Sequence, residues 1–235
     1  MRTSITSLLV LFLCGSAGLA VAPLGPPVAQ LHQGQIGIGF DYSCAETDLE
    51  LSGFGISGTV DVDSDLFLAK FGYGVSDNWD VFVRLGATSI DADGFDSGTE
   101  FGCGIGTKTT VFQNGQVSWG VIGQVHWFKG DDTWTYAGYA GSSEVDAYEI
   151  EFAAGPAYRW DSLCIYGGPF LQFIDGDWDI QSGATKLSFD VEEKSVFGGY
   201  IGATVPLAET ADLNAELQLT GDAWLLAVGV LWKIQ

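Results

Sequence analysis

Positive charge is scarce in this chain. Of 235 residues only 9 are Lys or Arg, against 30 Asp or Glu, and the formal charge is −21. A nucleic-acid partner is therefore excluded, because phosphate backbones need basic surface. Histidine is rarer still, with only His32 and His126, which leaves little material for His-based metal or acid–base sites. The four cysteines are Cys14, Cys44, Cys103 and Cys164, and no two are spaced like a zinc knuckle. Beyond residue 22 no apolar run reaches the roughly 18 residues of a membrane helix. The longest, Ala223 to Trp232, has the length of a membrane-spanning strand instead, for which roughly 9–11 residues suffice.

What is present is alternation. In Phe101-Gly102-Cys103-Gly104-Ile105-Gly106-Thr107-Lys108 one face carries Phe101, Cys103 and Ile105, and the other Gly102, Gly104, Gly106 and Lys108. A face of Gly and Lys does not fill a dry core, so the apolar face is expected to meet lipid. The same pattern marks ten strands, at 35–43, 64–75, 80–88, 101–112, 117–128, 145–159, 163–173, 194–207, 212–219 and 223–234. Eight strands is the alternative count. Short turns sit at 76–79, 113–116, 160–162 and 208–211, and the Asn, Asp, Gly or Ser of the first three suits tight hairpins. Long linkers at 44–63, 89–100, 129–144 and 174–193 alternate with them, and only 220–222 is short where a long linker is expected. Short turns on one side and long loops on the other are the layout of a barrel with periplasmic turns and external loops.

Residues 1–22 read as a secretory signal: Arg2, then the apolar Leu8 to Leu13, then small residues, with cleavage after Ala20 or Ala22. Cys14 falls within it. Residues 23–34 are rich in Pro and polar side chains and read as a flexible periplasmic lead-in, leaving 35–235 as one barrel domain.

Three segments resemble the small outer-membrane β-barrel proteins of Gram-negative-type bacteria. They are the hairpin Phe71 to Gly86, the Gly-x-Gly-x-Gly-x-Lys run at 102–108, and the closing strand after Gly221-Asp222. The resemblance covers residues 35–235. It implies an all-β, closed antiparallel transmembrane barrel in the outer membrane. The partners it implies are membrane lipid, lipopolysaccharide-like glycolipid and the outer-membrane assembly machinery. Its motifs are specific for architecture and silent on function.

Candidate functional residues fall into four groups. Lys70, Arg84, Lys108 and Arg159 are expected to gather in the lumen with Glu149, Glu151 and Glu216, and with Asp41, as a plug or as the lining of a narrow pore. Trp79, Trp119, Trp127, Trp160, Trp224 and Trp232 lie near strand ends and are expected to form an interfacial belt. The external linkers hold 18 of the 30 acids. Asp61, Asp63 and Asp65, and Asp175, Asp177 and Asp179, are spaced so that they could hold a divalent ion, although neither run has the EF-hand's Gly and Glu. Last, His126 faces inward near the outer end of its strand, the one candidate for acid–base chemistry at the rim. No metal and no cofactor is expected.

The reading is a non-enzymatic membrane barrel, structural or surface-exposed, with a narrow pore possible in principle. The alternatives are a rim enzyme built on His126 and a soluble secreted barrel holding a lipophilic ligand. The last would require Val81, Val83, Leu85, Ile105 and Val121 to point inward.

Overall fold

The computed structural model describes residues 22–53, 55–92, 95–136, 139–182 and 185–234. The signal segment lies outside these residues except for Ala22.

Twelve strands are present among the described residues: β1 (Ile36–Gly53), β2 (Ile56–Ser76), β3 (Trp79–Ala92), β4 (Phe95–Asp96), β5 (Glu100–Asn114), β6 (Val117–Tyr136), β7 (Tyr139–Trp160), β8 (Leu163–Ser182), β9 (Thr185–Glu193), β10 (Phe197–Ala208), β11 (Ala211–Leu219) and β12 (Ala223–Ile234). All pairings are antiparallel. They run β1–β2–β3–β5–β6–β7–β8–β10–β11–β12 and close on β1, with β4 attached to β3 and β9 lying between β8 and β1.

The expected count of ten is therefore corrected to twelve, and the long linkers are corrected with it. Most of the residues in them are strand. β7 has 22 residues and β2 has 21, about twice what a bilayer needs. The extra length comes from hairpins that continue outward past the membrane. β9 follows from the short 220–222 connection. Because β12 begins only at Ala223, β1 has no β12 partner beyond Thr47, and β9 pairs with Leu49 to Ser52 instead. A break at residues 194–196 separates β9 from β10. It is pinned by Lys194, whose ammonium lies 2.9 Å from Asp48 and 3.5 Å from Asp222.

The outward face divides into two zones. In the lower zone it is apolar: Val83, Leu85, Ile105 and Val121 are all 40% or more exposed. The soluble ligand-binding alternative, which needs these residues inside, is overturned. Trp119 and Trp127 on β6, like Trp224 and Trp232 on β12, stand eight residues apart. At about 3.4 Å per residue and a tilt near 40° that is about 20 Å of height, close to the apolar band of such barrels. Trp79 and Trp160 join the lower girdle, where Trp79 Nε1–H donates to Thr107 at 2.7 Å. At the upper girdle Trp224 Nε1–H donates to Glu46 at 2.9 Å.

Above that girdle the outward residues become acidic on the same strands. β1 reads Phe40, Tyr42, Cys44, Glu46, Asp48 outward, and β8 reads Leu171, Phe173, Asp175, Asp177, Asp179. The inward face changes in the opposite sense. Above the girdle it is apolar, and Leu49, Val62, Leu66, Ile90, Phe95, Phe128, Val145 and Trp178 form one buried cluster. Cys44, Cys103 and Cys164 form no disulfide.

Residues 22–34 are not a lead-in outside the barrel. They enter the lumen from the turn end and run up its axis. Gly34 N–H donates to Gly74 O, Ala29 N–H to Thr110 Oγ1, and Leu24 N–H to Glu216, with Leu24 fully buried. The composition suits this role. Backbone of a Pro-rich strand-free segment finds its hydrogen-bond partners in lumen side chains rather than in a ladder.

Replacing outward Val83 with Arg is expected to cost about 2–4 kcal/mol near the bilayer midplane. Reversible urea unfolding in lipid vesicles measures it, and Asp65→Arg, above the girdle, is the control expected to be nearly neutral.

Candidate functional site in the lumen

The polar cluster sits at mid-lumen below the outer apolar cluster, and the N-terminal segment threads up through it until Ala22 joins that apolar cluster. Arg84 projects inward from β3 and is 1% exposed. Its Nε donates to Asp41 at 2.9 Å and its Nη1 to Gln124 at 2.8 Å. Lys70 lies 3.9 Å from the same Asp41 oxygen. The ring of Phe82 stands among the cations: the Lys70 ammonium and the Arg84 guanidinium lie 4.8 Å from its centroid and Lys108 lies 5.8 Å away.

The inward glycines of β5 make room for this packing. A Cβ at Gly104 would lie 2.1 Å from the His126 ring, and one at Gly106 would lie 2.3 Å from the Phe82 ring. The Gly-rich face thus does line a filled interior, because large side chains from β3 and β6 occupy the space the glycines leave.

On the opposite wall, β7 contributes Glu149 and Glu151, which are 1% and 0% exposed. Glu149 accepts from Gln172 at 2.6 Å and from the Ala22 amide at 3.2 Å. Glu151 accepts from Gln124 through one oxygen, and its other oxygen has no partner. Glu216 on β11 accepts from Leu24 N–H at 2.9 Å, Gly25 N–H at 2.8 Å and Gln218 at 3.0 Å.

Seven of the eight residues expected in the lumen, Asp41, Lys70, Arg84, Lys108, Glu149, Glu151 and Glu216, are inward and buried. Arg159 is not with them. It has the inward phase but lies one residue from the end of β7, where it is exposed and lines the open mouth beside Asp212 and Lys233, a cavity of about 320 Å³.

His126 is also corrected. It does not sit at a rim, since β6 continues ten residues past it, and it is 3% exposed. Its Nε2 lies 3.5 Å from Arg84 Nη1, and ligand-type atoms of His126, Glu149 and Glu151 lie within 4.8 Å of one another. The sequence reading missed this convergence. The signal for it was present, because His126 pairs with Glu149 and Gln124 with Glu151 across β6 and β7. It also missed Gln124, Gln172 and Gln218, uncharged residues that satisfy the carboxylates.

The two acid runs lie on strands rather than in loops. Asp61, Asp63 and Asp65 are outward on β2, and Asp175, Asp177 and Asp179 are outward on β8. The carboxyl of Asp63 is pushed up to about 6, first by partial burial and then by Glu46 and Asp91 on the neighbouring strands. Asp61 is raised by sharing a hydrogen bond with Asp48, while Lys194 holds Asp48 below its usual range. Lys186 does the same for Asp179.

No protein-family model matches the chain, and no curated protein matches it. Solved structures do. The outer membrane protease OmpT from Escherichia coli superposes with a TM-score of 0.55 over 88% of this chain and 99% of its own, at 6% identity. An outer membrane channel from Pseudomonas putida F1 matches at a TM-score of 0.48, 11% identity, covering 92% of this chain and all of the channel chain. The outer membrane protein AlkL matches at 0.45 and 15% identity, over 92% of this chain and 96% of its own. The fold is that of the small outer-membrane β-barrels, and the lipid-facing belt places the chain in that membrane.

Two measurements test the electrostatics. Arg84→Met should cost about 3–5 kcal/mol by urea unfolding, because it leaves Asp41 with only the distant Lys70. For Asp63 the folded state holds its proton more tightly than the unfolded chain. The ionised form therefore weakens the fold above pH 6, and the penalty fades as pH falls toward the usual value of 3.8. Asp63→Asn should be the more stable protein at pH 7.5, with the difference gone by about pH 4.

Proposed function

We propose that this protein is a non-enzymatic, non-conducting outer-membrane barrel that presents a rigid acidic collar at the cell surface. The observation that supports this reading is the continuous filling of the lumen. The outer apolar cluster lies above the buried polar cluster, and residues 22–31 thread through the polar level until Ala22 packs into the apolar one, so buried side chains occupy both levels of the lumen. A pore would need a wet, connected lining. Here the charges are buried, and most of the carboxylate oxygens accept from protein donors, which is how a plugged barrel satisfies polar groups that lipid cannot.

The collar is the surface such a barrel offers. Outward acids on β1, β2, β3, β7 and β8 stand just above the upper girdle, at the height of membrane sugars and headgroups. Membrane lipid and lipopolysaccharide-like glycolipid are the proposed neighbours there, and the outer-membrane assembly machinery is the proposed partner in insertion. Nothing around His126 supports an enzyme: it is enclosed, and its Nε2 faces a guanidinium.

Planar-bilayer recording of the purified barrel tests the reading. No steady conductance is expected from the intact protein, and deletion of residues 23–33 is expected to produce one by emptying the lower lumen. Steady ohmic conductance from the intact protein would favour the narrow-pore reading instead.

A further inference from the structure

We propose that His126, Glu149 and Glu151 bind one divalent transition-metal ion, zinc by the match of its ligands, enclosed at mid-lumen. The inference goes beyond the filled-lumen reading: it adds a metal site to the polar level of that filling.

The first ground is geometry. One ligand atom from each residue, a ring nitrogen and two carboxylate oxygens, lies within 4.8 Å of the other two. The register brings them together. His126 pairs with Glu149 across β6 and β7, and Glu151 follows on the same inward face. Zinc holds nitrogen and oxygen at about 2.0–2.2 Å, so the ligand atoms of a tetrahedral ion stand roughly 3.4 Å apart. A closure of about 1 Å by the two carboxyl groups supplies the difference.

The second ground is unmet bonding. Glu151 is fully buried, and its Oε1 has no hydrogen-bond partner among the described residues. His126 is enclosed as well, and its Nδ1 has none. The ring shows which nitrogen is free. A Cβ at Gly104 would lie 2.1 Å from Cδ2 and 2.4 Å from Nε2, so that edge rests on β5 and Nδ1 lies on the opposite edge. Arg84 Nη1 donates to Gln124 at 2.8 Å and stands 3.5 Å from Nε2, past the ordinary length of such a bond. Nε2 can therefore carry the ring proton and leave Nδ1 its lone pair. Glu149 accepts one bond at each oxygen, from Gln172 and from the Ala22 N–H, so each oxygen keeps a lone pair.

The third ground is charge. Among the described residues five inward carboxylates are buried, Asp41, Asp80, Glu149, Glu151 and Glu216, against three cations, Lys70, Arg84 and Lys108. One divalent ion balances the excess. Arg84 and Lys70 are committed to Asp41, while Asp80 and Glu216 accept backbone amides of the N-terminal segment. Glu149 and Glu151 meet only side-chain amides and the Ala22 N–H, and buried carboxylates without a cation are costly.

The competing occupant is a proton shared by Glu151 and His126. It would draw Glu151 Oε1 and His126 Nδ1 into hydrogen-bond contact, and neither atom has one. An imidazole nitrogen beside two carboxylates suits zinc, whereas calcium and magnesium take oxygen ligands. The N-terminal segment threads past the site, with the Ala22 N–H on Glu149, so the ion enters before that segment seats.

The test is elemental analysis of the protein purified from outer membranes of zinc-supplied cells and washed with EDTA, which strips the exposed collar acids. Stoichiometric zinc is expected to stay with the folded barrel and to leave on unfolding in urea with EDTA. Glu151→Gln and His126→Gln, each checked for folding by the heat-dependent gel shift, are expected to retain at least tenfold less. If neither variant folds, refolding the unaltered chain from metal-free urea decides. Zinc, and not magnesium, is then expected to raise its urea midpoint, and no such rise would overturn the inference. So would a metal-free barrel, zinc that EDTA removes from the folded protein, or equal zinc in the folded variants. A metal-free barrel that does not conduct leaves the filled-lumen reading in place; conductance by a zinc-loaded barrel would overturn that reading alone.

Discussion

Lipid offers no hydrogen-bond partner to a backbone, and from this one constraint most of the structure follows. Each strand crossing the belt must find a neighbour on both sides, so the sheet must close. β1 closes it twice: against β12 from Ile36 to Thr47, and against β9 from Leu49 to Ser52. The second seam exists because the β11–β12 hairpin is too short to accompany β1 above the membrane. The strand that fills the gap is the continuation of β10, stepped aside at Lys194.

Closure creates an interior, and the interior must then be filled. The chain uses two different solutions. Above the bilayer, where water bathes the outside, the interior is an ordinary apolar core. Within the bilayer the outside is apolar and the inside is polar, so filling requires charges to be matched one by one. Glycines on β5 open space for the Phe82 and His126 side chains, glutamines donate to one oxygen each of Glu149, Glu151 and Glu216, and the N-terminal segment supplies backbone amides where side chains run out.

The facing of strands was legible in the sequence because a period of two survives any environment. Phe67, Phe71, Val83, Ile105 and Trp232 all point outward, as the alternation required. Strand length was not legible. The rule "apolar out, polar in" ends at Tyr42 and Phe173, and beyond them the same alternation continues with its sense inverted. Read with one rule, Asp61, Asp63 and Asp65 look like loop; read with both, they are the outer face of β2, with Val62, Ser64 and Leu66 behind them. The lumen segment was illegible for another reason. Pro23, Pro26 and Pro27 have no period, and their conformation comes entirely from the wall around them. His126 and Glu149 could have been brought together from the β6–β7 register, but only once both strand ends were known.

The inversion of polarity on the outward face has a mechanical meaning. Pushing the barrel a few ångströms inward would drag carboxylates into hydrocarbon, starting with Asp65, Asp146 and Asp175. Pulling it out would lift Phe67, Phe173 and Trp127 into water. Both displacements are opposed by every strand around the circumference at once, so the molecule carries its own waterline and floats at one depth. Two such molecules drifting together in the membrane plane would touch along their greasy flanks while their charged collars repel, so the same waterline that fixes their height also keeps them apart.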